Sequence, residues 1–297
     1  MKRSLLASLT LLLLSACVQD PNTITNPPPP GGLELTALAT EGGAQHLTFF
    51  NVATMNAPGA RETLAITGIP AEALRGIDYA PDGTLYALGV LLPGDEATQS
   101  AFYAIDPLRG AATEVVRFEL PFEPDDMRFM PGTDGRQVRV TERSRNLALP
   151  RSVLVDVLTG TVGEPLETDA GQALGTRPAF TAFDYSETEL LAITGTGVNG
   201  YVQHLAHAEV GREATLTTVA RVLTNLPYIT SLVEDGPVGY ATLAEFNRPA
   251  GRPLFISLNL NPSSPAVGEP TEIATFPVSQ VALAKTPEGV VEARRER

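Results

Sequence analysis

Three groups of residues combine a reactive type with a suggestive spacing. His204 and His207 are three residues apart, and such a pair raises the question of a metal ion. In an extended strand, residues three apart face opposite sides of a sheet. The only other histidine is His46, and no Cys or His cluster has the spacing of a zinc site. No metal or other cofactor is expected. Glu123, Asp125 and Asp126 form an acidic cluster. Paired carboxylates can serve hydrolysis or bind calcium, which wants about six to eight oxygens. A short acidic stretch supplies only some of those, so a solvated loop is expected. The third group is Asp78, Arg128 and Asp184, whose connection appears only once internal repeats are aligned. The usual signatures of covalent and phosphoryl chemistry are missing. There is no Gly-x-Ser-x-Gly elbow and no phosphate loop. The glycine-rich run from Gly195 to Gly200 precedes no helical pattern and reads as a loop. No catalytic residue is assigned.

The single cysteine, Cys17, has a different chemistry. Lys2 and Arg3 precede an apolar run from Leu5 to Leu14. That run is about half of the ~20 residues a spanning helix needs. Leu14-Ser15-Ala16-Cys17 then resembles the bacterial lipobox, in which the cysteine becomes the first mature residue and carries a diacylglyceryl thioether. Ordinary secretory cleavage after Ala16 fits worse, because Leu14 would stand where a small residue is expected. Two or more acyl chains anchor a protein stably, whereas one does so marginally. Residues 1–16 are therefore read as a signal peptide and Cys17 as the lipidation site. Residues 17–43, with Pro27 to Pro30 and Gly31-Gly32, are read as an extended tether. The expected location is the bacterial cell envelope, outside the cytoplasm, with the membrane as a partner through Cys17. With its cysteine used there, the folded part has no disulfide and no thiol chemistry.

Composition narrows the partners. The formal net charge is −13, and loss of Lys2 and Arg3 with the signal peptide makes the mature chain more acidic still. Phosphate binding needs clustered cations, so nucleic acid is not expected. There is no Trp, and aromatics make up only 6% of the chain. That disfavours a stacking platform for sugars or bases. The 297 residues, 43% of them hydrophobic, suffice for one large domain or two small ones.

What would position the third group is a repeat. Five segments share an apolar–x–apolar pattern, beginning near Ile77, Met127, Phe183, Leu232 and Leu283. Each leads toward a turn: Asp82-Gly83, Asp134-Gly135, Glu187-Thr188, Asp235-Gly236 and Glu288-Gly289. Asp-Gly is a strong hairpin signal because glycine accepts positive φ cheaply. A second hairpin follows in the first four units, with turns at Asp106 to Gly110, Asp156 to Gly160, His207 to Gly211, and near Asn261. Four strands per unit of about fifty residues is the pattern of a propeller blade. The fifth unit lacks its second hairpin, and residues 46–69 supply two strands with no partner before them. The fold expected is all-β, a five-bladed β-propeller over residues 44–297. Pairing of N- and C-terminal strands closes it and leaves no free edge. A β-sandwich is the competing architecture.

Residues 46 to 116 also resemble a family. "TLAITGIPAEALRGIDYAPDGTLYALG" followed by "FYAIDPLRGAATEV" is similar to the secreted bacterial family known as domain of unknown function 4394. The matching residues are Gly76, Ile77, Asp78, Tyr79, Pro81, Leu85, Tyr86, Tyr103, Ile105, Asp106, Pro107 and Gly110. Ala80 and Arg109 stand where that family has arginine and threonine. The resemblance implies an extracytoplasmic, propeller-like repeat protein, and no activity.

In the aligned repeat, the middle of each innermost strand reads Asp78, Arg128, Asp184, Val233 and Ala284. Asp78, Arg128 and Asp184 form either a salt-bridged seam between blades or a polar wall that binds a small ligand. The function expected is a non-catalytic binding or scaffolding propeller, taking an envelope protein or small ligand and acting as a monomer. The alternatives are a lactonase-like hydrolase or lyase with a metal in the central channel, and a carbohydrate-binding module.

Overall fold

The computed structural model describes residues 32–41, 44–69, 74–93, 97–142, 151–167, 179–185, 189–196, 202–209, 217–222, 228–244, 254–261, 263–264, 270–276 and 281–297. The first strands are β1 (Glu34–Glu41), β2 (Ala44–Asn51) and β3 (Arg61–Ala65). Next come β4 (Leu74–Tyr79), β5 (Leu85–Leu92), β6 (Thr98–Ile105) and β7 (Ala112–Leu120). They are followed by β8 (Pro124–Phe129), β9 (Gln137–Glu142), β10 (Arg151–Asp156) and β11 (Leu166–Glu167). Then come β12 (Ala179–Tyr185), β13 (Glu189–Thr196), β14 (Val202–Glu209) and β15 (Thr217–Val222). The last are β16 (Tyr228–Asp235), β17 (Val238–Ala244), β18 (Leu254–Asn259), β19 (Pro270–Thr275) and β20 (Val281–Lys285), before helix α1 (Glu288–Arg295).

These strands form four-stranded antiparallel sheets in a propeller-like arrangement. Four are consecutive meanders: β4 to β7, β8 to β11, β12 to β15 and β16 to β19. The remaining sheet has the order β20-β1-β2-β3, with Leu35 opposite Lys285 and Ala39 opposite Val281. The edge strands β4, β8, β12, β16 and β20 lie against one another around a common axis, and β20 touches β4.

The core explains why both faces of these strands are apolar. One buried cluster joins Leu35 and Phe50 to Tyr240, Phe255 and Leu283. A second joins Leu47 and Phe49 to Ile77, Tyr103 and Ile105. A third joins Leu88 and Phe102 to Met127, Val140 and Val155. Each cluster lies between two successive sheets. In β6, Ala101, Tyr103 and Ile105 enter one cluster and Phe102 the next, as the two-residue period of a strand dictates.

Several expectations need correction. Glu34–Glu41 is a strand, so the sheets begin inside the stretch 17–43 read as tether. Residues 46–69 do supply β2 and β3, but β1 precedes them, and the mixed sheet takes three strands from one end and one from the other. Glu288-Gly289 is no hairpin turn: these residues open α1, with Glu288 in its first turn and Arg294 and Arg295 in its last, as the helix dipole favours. His207 does not occupy a turn either. It lies within β14 opposite Leu191, whereas Asp106 and Asp156 stand at strand ends.

One structural repeat had no counterpart in the sequence pattern. β4, β8, β12 and β16 each carry a one-residue bulge, at Arg75, Asp125, Thr181 and Thr230. A bulge bends its strand and re-aims the side chains beyond it. The residues just past the four bulges are Gly76, Asp126, Ala182 and Ser231.

Candidate functional site

Two layers of register positions run across the inner strands. The layer just past the bulges holds Gly76, Asp126, Ala182 and Ser231, with Ala282 in β20. The next holds Asp78, Arg128, Asp184, Val233 and Ala284. Gly76 and Ser231 in the first layer leave space beside them for the large side chain of Arg128.

Arg128 is 1% exposed. Its Nη1 donates to the carbonyl of Ile77 in β4 at 3.1 Å, to Asp126 Oδ1 at 3.0 Å and to its neighbour's carbonyl on Met127 at 2.7 Å. Its Nη2 reaches β16, donating to Ser231 Oγ at 3.1 Å and to the carbonyl of Leu232 at 2.9 Å. Ser231 Oγ also accepts the amide of Leu283 in β20 at 2.9 Å. One guanidinium thus ties β8 to β4, β16 and, through Ser231, β20. Its fixed planar fork of donors suits this bridging better than a lysine ammonium would.

Asp126 is the carboxylate that the sequence analysis assigned to a solvated loop. It is 3% exposed, and burial pushes its carboxyl up to about 7, against the opposing pull of Arg128 and of the Met127 amide. Glu123 of the same cluster is also partly buried and pairs with Arg75 at 3.2 Å. The acidic run therefore enters a strand and its bulge instead of a loop. Gly76 explains the tight fit: a Cβ there would stand 2.7 Å from the Met127 amide and 2.8 Å from Asp126 Oδ1.

Asp78 sits in the same layer as Arg128, yet its carboxylate is engaged with backbone. Oδ1 accepts the Tyr79 amide at 2.9 Å and Oδ2 accepts the Phe129 amide at 2.7 Å, which couples β4 to β8. Asp184 stands opposite Leu191 in β12, and its side chain lies outside the described residues. The structure thus brings Asp78 and Arg128 together, and the carboxylate paired with Arg128 at 3.0 Å is Asp126. No repeat alignment at a single layer would find it, because it lies two residues earlier on the same strand.

Above this layer opens a basin of about 970 Å³. It lies where the inner strands end. Its wall includes Asp78, Arg128, Phe129, Val233, Ala284 and Thr286, with α1 on one side. Tyr79 also faces it, within a buried hydroxyl chain. Its phenol shares a hydrogen bond with Thr36 Oγ1 at 2.9 Å, and Thr36 shares another with Thr286 at 2.8 Å. Burial pushes the Tyr79 phenol up to about 12, so it stays protonated at neutral pH and serves as a hydrogen-bonding hydroxyl, not a base. Among the described residues, no three His, Cys, Asp or Glu side chains converge as a metal site. Among them, too, no helix is long and apolar enough to cross a membrane.

Solved structures with a similar outline are remote in sequence. Two Bacteroides proteins, provisionally named 6-phosphogluconolactonases, align over 82% of this chain. The one from Bacteroides uniformis shares 14% identity over 68% of its own length, with a TM-score of 0.42. The one from Bacteroides fragilis shares 12% identity over 82% of its length, with a TM-score of 0.45. A protein of unknown function from Bacteroides caccae shares 9% identity, over 86% of this chain and all of its own, with a TM-score of 0.44. No curated protein matches the chain. At the level of sequence, residues 46–202 match the family DUF4394, a domain of unknown function, and with more than half its length inside that match this chain belongs to the family.

Proposed function

We propose that the chain is a lipid-anchored, extracytoplasmic binding propeller, with the basin above Arg128 as its ligand end. In this reading the sheets make a ring of five blades, closed where β20 pairs with β1. Cys17 carries the lipid, and residues beyond it tether the ring at the envelope. One observation carries the binding role. The buried Arg128 fork spans from β4 to β16 beneath the basin, and a recess with such a polar floor suits receiving a ligand better than passing one through. Asp78 and Arg128 belong to that floor, Asp184 shares their register, and the part assigned to the three is to fix its shape and polarity for a small ligand or a partner segment.

The anchor is tested by replacing Cys17 with Ser. Lipid labelling should disappear and the protein should move to the soluble fraction. An unmodified mature N-terminus in the parent protein, seen by mass spectrometry, overturns the anchor. The binding role is tested by hydrogen exchange against panels of envelope polysaccharide fragments, peptides and small metabolites. A ligand should protect Asp78 to Pro81 and Phe129 to Pro131. Turnover of a lactone or ester in the same panel would replace this reading with the hydrolase one.

A further inference from the structure

The eight-residue helix α1 is the one element of the basin wall that contributes nothing fully buried. Its Glu288, Val291 and Arg295 line the basin, a spacing that puts all three on one face. The adjoining face holds the helix down. Arg294 stacks over the Phe49 ring at 3.3 Å and donates to the Pro107 carbonyl at 2.6 Å. It also lies within ion-pair reach of Glu62, without hydrogen-bond geometry. Arg295 pairs with Glu34 at 3.3 Å, and Arg297 donates to the Leu108 carbonyl. Val290 adds partial apolar contact against the cluster between the first two sheets.

Two features set this apart from the other walls. Few side chains make the attachments: the exposed Arg295 pairs with Glu34, which salt screens, and Arg294, 9% exposed, holds through the Phe49 ring and the Pro107 carbonyl. The helix start has no side-chain cap on Pro287, and a helix this short has little stability in water without tertiary contacts. Detachment and unwinding therefore go together. We infer that α1 is a releasable strap, held by Arg294 and Arg295, which shields one side of the basin and opens it when the charged contacts are broken. The inference rests on the basin being the binding end, but it concerns access alone.

Access can be read without any ligand. Cys17 is the only cysteine, so a soluble Cys17→Ser protein with Ala284→Cys carries one thiol, in the inner strand facing the basin. Ala284 is 1% exposed. With Arg294 and Arg295 both changed to Ala, thiol labelling should accelerate at least tenfold. Amide exchange over residues 288–295 should accelerate with it, while exchange in β4, β8 and β16 stays unchanged. Faster exchange in α1 without faster labelling shows that the helix shields nothing and overturns the strap. Unchanged exchange overturns the proposed fastening. Faster exchange throughout the chain makes α1 an integral support, and overturns it as well. A strap that fails these tests leaves the binding role standing, since that role is judged by ligand protection at Asp78 to Pro81.

Discussion

The sheets β4 to β7 and β8 to β11 follow one plan at the periphery and depart from it at the axis. Their outer turns are copies. Asp106 Oδ1 accepts the amides of Leu108 and Arg109, and Asp156 Oδ1 accepts those of Leu158 and Thr159. Each turn ends in a glycine of positive φ, +71° at Gly110 and +69° at Gly160, that presses on the preceding sheet. Gly110 sits against the Ala65 carbonyl, and its own carbonyl accepts the Thr67 amide at 2.9 Å. Gly160 sits against Val116 and the Arg117 carbonyl. At the axis, by contrast, β4 offers Gly76 and Asp78, where β8 offers Asp126 and Arg128. The lesson is a division of labour. Repeated residues dock each of these two sheets to the one before it. Unrepeated residues, Arg128 beside Gly76 and Ser231, hold the inner strands together.

The largest expected effect comes from breaking the Arg128 bridge. Arg128→Met should strand Asp126 in a buried site and cost roughly 3–5 kcal/mol, the usual loss when one member of a buried pair is removed. Changing Asp126 to Leu as well should recover much of that. The contrast is Arg109→Ala in the peripheral turn. Arg109 is 78% exposed and 3.7 Å from Asp106, and an exposed pair contributes about 0–1 kcal/mol. Chemical denaturation of the three variants measures the difference. Equal losses at Arg128 and Arg109 would erase the distinction between axis and periphery.

The next effect is a pH dependence confined to the axis. The Asp126 carboxyl is raised from an ordinary 3.8 to about 7 by burial, so the folded state holds its proton where the unfolded chain has released it. The groups that act on it are Arg128, which opposes the shift, and Asp125 and Asp78, which add to it. The sign follows. This contribution to stability is fully present below about pH 3.8, declines as pH rises, and is gone above about 7. Asp126→Asn should remove that slope while keeping an oxygen for Arg128 and for the Met127 amide. Asp156 in the peripheral turn is shifted the other way, lowered chiefly by the Thr159 amide, and is partly exposed. Its replacement by Asn should leave the slope between pH 4 and 7 intact. Melting temperatures across that range decide.

What the sequence disclosed follows the same division. Turns were legible because their chemistry is local: Asp82-Gly83 and Asp106 to Gly110 announce their geometry within five residues. Those turns then gave the unit length and the propeller. β1 escaped because "ELTALATE" has no turn residue to mark its start and follows a proline-rich run. α1 escaped because Glu288-Gly289 imitates the turn signal of the other units, and two valines after it suit a strand as well as a helix. The bulges fall at Arg75, Asp125, Thr181 and Thr230, with no one residue type common to all four, so nothing local announces them. They shift the alternation of side chains by one, which buries Asp126 beside two residues of its acidic run. At the axis, Asp78 and Arg128 were found by register, but their partners were not. A strand alignment identifies which residues share a layer, whereas the Arg128 side chain is long enough to serve acceptors in both layers and across the ring.

The smallest expected effects separate docking from turn geometry. Gly110, Gly160 and Gly83 all have positive φ, near +70° to +84°, so alanine at any of them meets the same backbone penalty of roughly 1–2 kcal/mol. They differ in what a Cβ would touch. At Gly110 it would lie 2.1 Å from the Ala65 carbonyl oxygen, which is backbone and cannot turn aside. At Gly160 it would meet a Val116 methyl at 2.8 Å, which can rotate, and the Arg117 oxygen at 2.9 Å. At Gly83 nothing lies within 4 Å. Overpacking adds about 1–3 kcal/mol where it occurs, so the order of loss should be Gly110→Ala, then Gly160→Ala, then Gly83→Ala. Gly83→Asn should be close to neutral, because asparagine tolerates the left-handed region and Asp134 already occupies it at φ 50° in the corresponding turn of the next sheet. Unfolding free energies of the four variants test the order. Similar losses at Gly83 and Gly110 would mean that turn conformation alone explains the glycines, and that the peripheral turns do not hold the sheets together.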